Sequence, residues 1–200
     1  PWVKLAEQLG LFAGQLTETS IKGVRIEYSG EVATLNTKPL AAATLAGILR
    51  PLLSDVNMVS ASVNAKERGI RLEEVTRGQD GAFESYIRLT VTTDAYERSV
   101  AGTVFSDGRP RIIQVRNIDM EFELAPHMLF VRNADKPGFI GRFGTVMGEA
   151  GVNIATFNLG RDKPGGDAIC MVAVDEPVSE DVMAQVRALP QVVRVNRLQF

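Results

Sequence analysis

Three short polar side chains, Asn133, Asp135 and Asn153, stand where the residue pattern marks element boundaries. The first two lie in Asn133-Ala-Asp135-Lys136-Pro137-Gly138, directly after an apolar run, and the third opens Asn153-Ile154. An amide accepts a hydrogen bond from an ammonium group and donates one to a carboxylate, while a carboxylate pairs with an ammonium. The set therefore suits a zwitterion such as an amino acid. A helix beginning after Pro137 adds unpaired backbone N–H groups that favour a carboxylate. Asn133, Asp135, Lys136, Gly138, Asn153 and Ile154 form the candidate effector site, built for binding rather than catalysis. The same residue types also end turns and cap helices, and at this level both readings stand.

The elements that must position these residues are legible from periodicity. Met128 to Asn133 reads as a strand, Gly138 to Ala150 as a helix, Asn153 to Arg161 and Ala168 to Asp175 as strands, Ser179 to Leu189 as a helix and Val192 to Leu198 as a strand. This order, βαββαβ, is the ferredoxin-like arrangement, with two helices on one face of a four-stranded antiparallel sheet. Its other face is expected to be free, with Met171, Val172, Phe157 and Leu159 as apolar cover for a second copy. Gly141, Gly144 and Gly148 fall along one side of the first helix. Each interior glycine costs about 1 kcal/mol relative to alanine, so either a close approach by another chain or ligand, or tight packing on the sheet, must compensate.

The preceding residues read as a separate α+β module. Val24 to Tyr28 alternates as a strand, and Glu31 to Leu35 offers a second. Asn36-Thr37-Lys38-Pro39 marks a helix start with a capping hydroxyl, and the helix runs to Leu49. Met58 to Arg68 reads as a shorter helix ended by Gly69. Ile70 to Val75, Phe83 to Thr92, Tyr96 to Phe105 and Arg111 to Phe122 then alternate, separated by turn residues, as an antiparallel meander. Residues 1–20 carry apolar positions at 2, 5, 9, 12 and 16, a half-exposed helical stripe expected to lead from an absent domain. The divisions are thus 1–20, 21–125 and 126–200, with Ala125-Pro126 as linker.

Composition bounds the function. The chain has 200 residues, 45% hydrophobic and 23% charged, with a formal net charge of -2. Basic residues alternate with acidic ones rather than forming a stripe, which argues against nucleic-acid binding. The longest apolar stretch, Leu40 to Leu49, is shorter than the roughly 18 residues that cross a bilayer. Cys170 is the sole cysteine; no internal disulfide or cysteine-based metal site can form in one chain, which fits a cytoplasmic location. His127 has neither carboxylate nor nucleophile near it in sequence, and no catalytic set emerges. Lys66, Arg109 and Arg111 are candidate ligands for an anion, although glutamates at 67, 121 and 123 favour a solvated mixed-charge surface.

At the Asn133 motif, with Gly151-Val-Asn153-Ile154 following at its separation, the chain resembles an ACT domain. From the first helix through Lys66-Glu-Arg-Gly-Ile70 and the Asp107-Gly108 hairpin, the whole resembles the C-terminal regulatory half of long-form D-3-phosphoglycerate dehydrogenases. That resemblance implies an allosteric substrate-binding domain, then an ACT domain that binds L-serine or a related amino acid between two subunits of a homo-oligomer and feeds back on serine synthesis. It places the NAD-dependent catalytic domains of the parent enzyme outside these residues, with no cofactor in this part. No Gly-x-Gly-x-x-Gly follows a strand here. The family's first pocket position varies and is Asn133 here, the second is Asn or Asp and is Asp135, and Asn153 matches directly.

Two other classes compete. The first module is also similar to the small domain of bacterial L-serine dehydratases, whose iron–sulfur cluster needs several cysteines, more than Cys170 supplies. A stand-alone ACT amino-acid-binding module is the remaining alternative. RNA-recognition domains share βαββαβ, but Leu-Phe-Val-Arg-Asn133 and Ala-Ile-Cys-Met-Val172 carry no aromatic pair to stack bases and little positive charge.

Overall fold

The computed structural model describes residues 1–79 and 81–200, and the chain divides into two compact units, Pro1–Arg116 and Asn117–Phe200. The first unit begins with α1 (Trp2–Leu16), β1 (Ile21–Gly30), a 3-10 turn (Glu31–Thr34), α2 (Lys38–Leu49) and α3 (Ala61–Glu67). It continues through β2 (Arg71–Arg77), β3 (Ser85–Thr93), β4 (Glu97–Val104) and β5 (Pro110–Val115). These strands lie in the order β2-β1-β3-β4-β5. Val24, Ile26 and Tyr28 of β1 sit opposite Val91, Leu89 and Ile87 of β3, all buried. On β4, a Cβ added to Gly102 would lie 2.6 Å from Leu5 Cδ1, so α1 packs directly on this face.

Several expectations are revised here. The apolar stripe of α1 is not half-exposed: Leu5, Leu9, Phe12 and Leu16 are buried within the first unit. The sheet is not an antiparallel meander throughout, because β2 runs parallel to β1, from Gly23 opposite Arg71 to Ser29 opposite Arg77. The chain needs α2 and α3 as the crossover between two parallel strands. Glu31–Thr34 is a 3-10 turn rather than a strand, following Gly30 at φ 81°, where a side chain would strike Glu84 O. Thr37 makes no capping bond; instead Asn36 Oδ1 accepts from Lys38 N at 3.3 Å. The helix expected from Met58 starts only at Ala61, since Asn57 Oδ1 accepts from the amides of Val59 and Ser60 and holds that stretch as a turn. The run from Arg111 to Phe122 breaks at Arg116, whose φ is 57°.

Contact between α1 and α2 is set by glycine. A Cβ on Gly14 would lie 2.5 Å from Ile48 O, and one on Gly47 would lie 2.8 Å from Leu11 N and fall on Glu7 O. The helix backbones therefore touch, and dispersion between them offsets the helical cost of each glycine.

The second unit comprises β6 (Ile118–Phe122), β7 (His127–Ala134), α4 (Phe139–Glu149), β8 (Ile154–Arg161), β9 (Asp167–Val174), α5 (Glu180–Arg187) and β10 (Val192–Gln199). Strands β7 to β10 form an antiparallel sheet in the order β10-β7-β9-β8, with β9 paired on both sides. This is the expected βαββαβ arrangement. Leu129, Val131, Cys170, Val172 and Val195 pack with Phe139, Phe143 and Met147 of α4 and Val182 and Val186 of α5. Ser179 caps α5 by accepting from Val182 N at 3.3 Å.

The opposite face of this sheet was expected to be free, and it is not. Met128, Phe130 and Met171 on it are buried, and β6 crosses it: a Cβ on Gly160 would lie 2.7 Å from Ile118 Cγ2. Val172 and Phe157 belong instead to the helix-side core, leaving Leu159 as the exposed member of the four.

Gly47→Ala is expected to destabilise the first unit by about 1–3 kcal/mol, because the obstructing atoms are backbone and cannot move aside. Urea unfolding followed through Trp2, the single tryptophan, reads this unit selectively; unchanged or raised stability would contradict the close packing.

Candidate functional site

Strand β7 carries Asn133 into the interior, where it is 1% exposed. Its Nδ2 donates to Ala134 O at 3.1 Å, and its Oδ1 faces Cys170 Sγ at 3.5 Å, a weak S–H donor. Burial pushes the Cys170 thiol up to about 12, so it stays protonated. Asn133 thus closes the end of the core, with both polar atoms engaged inside the chain.

Asp135 has a different set of partners. Its Oδ2 accepts from Arg161 Nη1 at 2.9 Å and from Gly165 N at 3.0 Å, while its own amide donates to Gly166 O at 2.9 Å. The Gly165 N–H, then the Arg161 guanidinium, hold its carboxyl below the usual carboxylate range. Asp135 therefore ties the loop before α4 to the hairpin between β8 and β9. Arg161 and Gly165 were not singled out from sequence; the Gly165-Gly166 pair between two alternating runs is the signal that marks this turn.

Because Asp135 turns to the hairpin, nothing caps α4. Gly138 occupies its N-terminal boundary at φ 96°, without a side-chain cap and with no acidic residue in the first turn. A Cβ on Gly138 would lie 3.2 Å from Arg142 Nη1. Lys136 is exposed beside it, its amide bonded to Ala134 O at 2.9 Å. Added Cβ atoms on Gly141, Gly144 and Gly148 would meet no heavy atom within 4 Å. Tight packing within the chain is therefore not what these glycines serve. Since the Phe143 and Phe157 ring centroids are 5.9 Å apart, α4 lies over β8, an edge strand.

Asn153 is exposed just ahead of β8, and Ile154 packs partly into the core. The Asn153 Nδ2 donates to Asp175 Oδ2 at 2.6 Å, and Asp175 N donates to Asn153 O at 3.3 Å. Register separates Asn153 from the other two polar residues. Asn133 pairs with Ala168 at the start of β9, whereas Ile154 pairs with Val174 at its end. At about 3.4 Å per residue that is about 20 Å along the strand. One chain does not bring the three together.

Of the candidate anion ligands in the first unit, the two arginines are met by a carboxylate. Arg111 Nη2 and Arg109 Nε lie 3.0 and 3.3 Å from Asp107 Oδ2, and Arg111 also sits 4.7 Å over the Phe105 ring. The Arg109 backbone N–H, ahead of the Arg111 side chain, holds the Asp107 carboxyl below its usual range. Arg77 is 3.0 Å from the buried Glu27. Lys66 is exposed on α3, which leads into β2 at one edge of the sheet order, while Arg111 is on β5 at the far side of it. Lys66 and the two arginines are not brought to one place. His127 is the first residue of β7, opposite Gln199. Among the described residues no group of three or more His, Cys, Asp or Glu is placed to hold a metal, and no helix is long and apolar enough to cross a membrane.

The sign of the Asp135 effect is testable. A carboxyl whose pKa is lower folded than unfolded stabilises above the unfolded value and loses that contribution as pH falls through the folded one. The Gly165 amide resonance is thus expected to hold its position through the ordinary carboxylate range and to move only at lower pH, and to be displaced at neutral pH in Asp135→Asn. A Gly165 shift at the normal aspartate midpoint would contradict the clamp.

Comparison with known proteins assigns both units. Residues 1–116 match the family model described as the D-3-phosphoglycerate dehydrogenase intervening domain, and residues 127–191 match the ACT domain model. Among curated relatives, the D-3-phosphoglycerate dehydrogenase of Bacillus subtilis is 31% identical over 98% of this chain and 38% of its own length. That of Archaeoglobus fulgidus is 35% identical over 96% of the chain and 37% of its length, and the chloroplastic enzyme 3 of Arabidopsis thaliana is 29% identical over 96% and 36%. The chain therefore spans less than two fifths of these relatives. Its match over most of its length places it in the D-3-phosphoglycerate dehydrogenase intervening-domain family, with an ACT domain following.

Proposed function

We propose that this chain is the regulatory part of a D-3-phosphoglycerate dehydrogenase, and that its ACT unit binds L-serine or a related small amino acid in a pocket shared by two copies. Occupancy would give feedback control over NAD-dependent oxidation of 3-phosphoglycerate by catalytic domains beyond these residues, in a cytoplasmic homo-oligomer of serine biosynthesis. The first unit, Pro1–Arg116, would relay or add to that control. An anion held by Arg109 or Arg111 would have to displace the Asp107 carboxylate, and Lys66 lies apart from both.

The observation that carries the reading is the separation of Asn153 from the Asn133–Asp135 loop along β9. Strand β8 is an edge, with its backbone free on one side and Leu159 and Ile140 of α4 exposed next to it. Antiparallel pairing of β8 with β8 of a second copy about a two-fold axis sets Asn153 of one copy against Arg161 of the other. Arg161 holds Asp135, so this pairing brings Asn153 to the Asp135 loop across the interface, beside the uncapped start of α4, while Asn133 stays buried in its own chain. The glycine side of α4 then has the close neighbour it lacks in one chain. Coupling between effector and substrate is reciprocal, so substrate would weaken serine binding by the factor serine weakens substrate binding.

Titration calorimetry of the chain with L-serine is expected to give saturable heat with one site per chain, and Asn153→Ala to lower the affinity about tenfold or more, a loss of roughly 1.4 kcal/mol. Sedimentation should show a dimer. No heat with any small amino acid would remove the ligand, and a monomer that binds serine would remove the shared pocket.

A further inference from the structure

We propose that Asp175 is a positioning residue that fixes the Asn153 side chain with its carbonyl Oδ1 outward, so that Asn153 reads the ammonium group of the effector rather than its carboxylate. This rests on the shared-pocket reading above and goes one step beyond it. An asparagine amide has two faces, and nothing in its shape decides which one a ligand meets. Here the neighbour decides. An ionised carboxylate only accepts hydrogen bonds, so the group 2.6 Å from Asp175 Oδ2 must be the Asn153 NH2. The second contact, from Asp175 N to Asn153 O at 3.3 Å, fastens the two backbones and keeps the Asp175 carboxylate beside the amide. Asn153 Oδ1 has no partner among the described residues and the residue is exposed, which leaves that oxygen available to an incoming donor.

The partner loop meets this arrangement with a matching chemistry. Both donors to the Asp135 carboxylate, Arg161 and Gly165, fall on one oxygen, Oδ2, and Oδ1 is left without a partner among the described residues. Asp135 Oδ1 of one copy and Asn153 Oδ1 of the other are two acceptors, each held by a neighbour from behind. Two converging acceptors select a group with several N–H donors, which is an ammonium. The ligand carboxylate is then left for the uncapped N–H groups of α4 and the guanidinium of Arg142. The effector class is therefore a primary α-amino acid, with the 2-hydroxy acid of the same skeleton excluded.

An exchange of the two residues separates this assignment from the opposite orientation. In Asn153→Asp/Asp175→Asn the new Asn amide donates to the new Asp, and an oxygen acceptor, now of a carboxylate, faces the pocket where the Asn153 carbonyl was. Calorimetry with L-serine is expected to show binding weakened about tenfold in Asp175→Ala and in Asn153→Asp alone, and restored to within about threefold of the parent chain in the double exchange. Were Asn153 to donate to the ligand carboxylate, the double exchange would set two carboxylates against each other and bind no serine. Unrestored binding in the double exchange, or unchanged binding in Asp175→Ala, overturns the assignment while leaving serine binding intact. No binding by the parent chain overturns both. Both residues are exposed, so folding does not depend on either.

Discussion

Strand β9 is hydrogen-bonded on both sides, to β7 and to β8, and this double pairing governs where every polar group of the second unit can lie. It fixes the Asn133 loop at one end of the sheet and Asn153 at the other. It also commits alternate β9 residues to two covered faces, Cys170 and Val172 beneath the helices and Met171 on the side crossed by β6. A one-residue slip would exchange those faces, so the register is held by burial as well as by hydrogen bonds. With both faces used, the sheet is open at its two edge strands, β8 and β10.

The first unit depends on a different constraint, the close approach of two helices. Gly10, Gly14 and Gly47 let the backbones of α1 and α2 touch, and α1 lies in turn on Gly102 of β4. Glycine is needed there for its missing side chain and not for its backbone freedom, in contrast to Gly30 and Gly138, where positive φ is required. The glycines of α4 satisfy neither condition within one chain. That difference is what distinguishes a helix packed against its own fold from one whose surface has been kept low.

Much of this was legible in the sequence, for physical reasons that differ by element. The βαββαβ order follows from local periodicity, and the structure reproduces it with boundaries shifted by a residue or two. What periodicity cannot carry is partnership. The parallel pairing of β1 with β2 joins strands separated by two helices, and neither strand's pattern encodes it. The break at Arg116 was hidden because the alternation continues on both sides of a non-glycine residue at positive φ. Likewise, residues two apart on a continuous strand would face one way, but β7 ends at Ala134, and Asn133 and Asp135 have no common partner. Asp175 and Arg161 went unnoticed because their importance lies in which atom of a neighbour they occupy, and no sequence pattern records that.

The unpaired edge of β8 has a consequence for how such a protein responds to its own abundance. A site completed only by a second copy exists in proportion to the population of associated chains, so its apparent affinity rises with protein concentration, and any ligand that fills it tightens the association by the same free energy. Dilution would silence the response without altering a single contact inside the chain. In the proposed pairing the edge strand would act as a molecular count of copies, and the effector would be read only where that count is high enough.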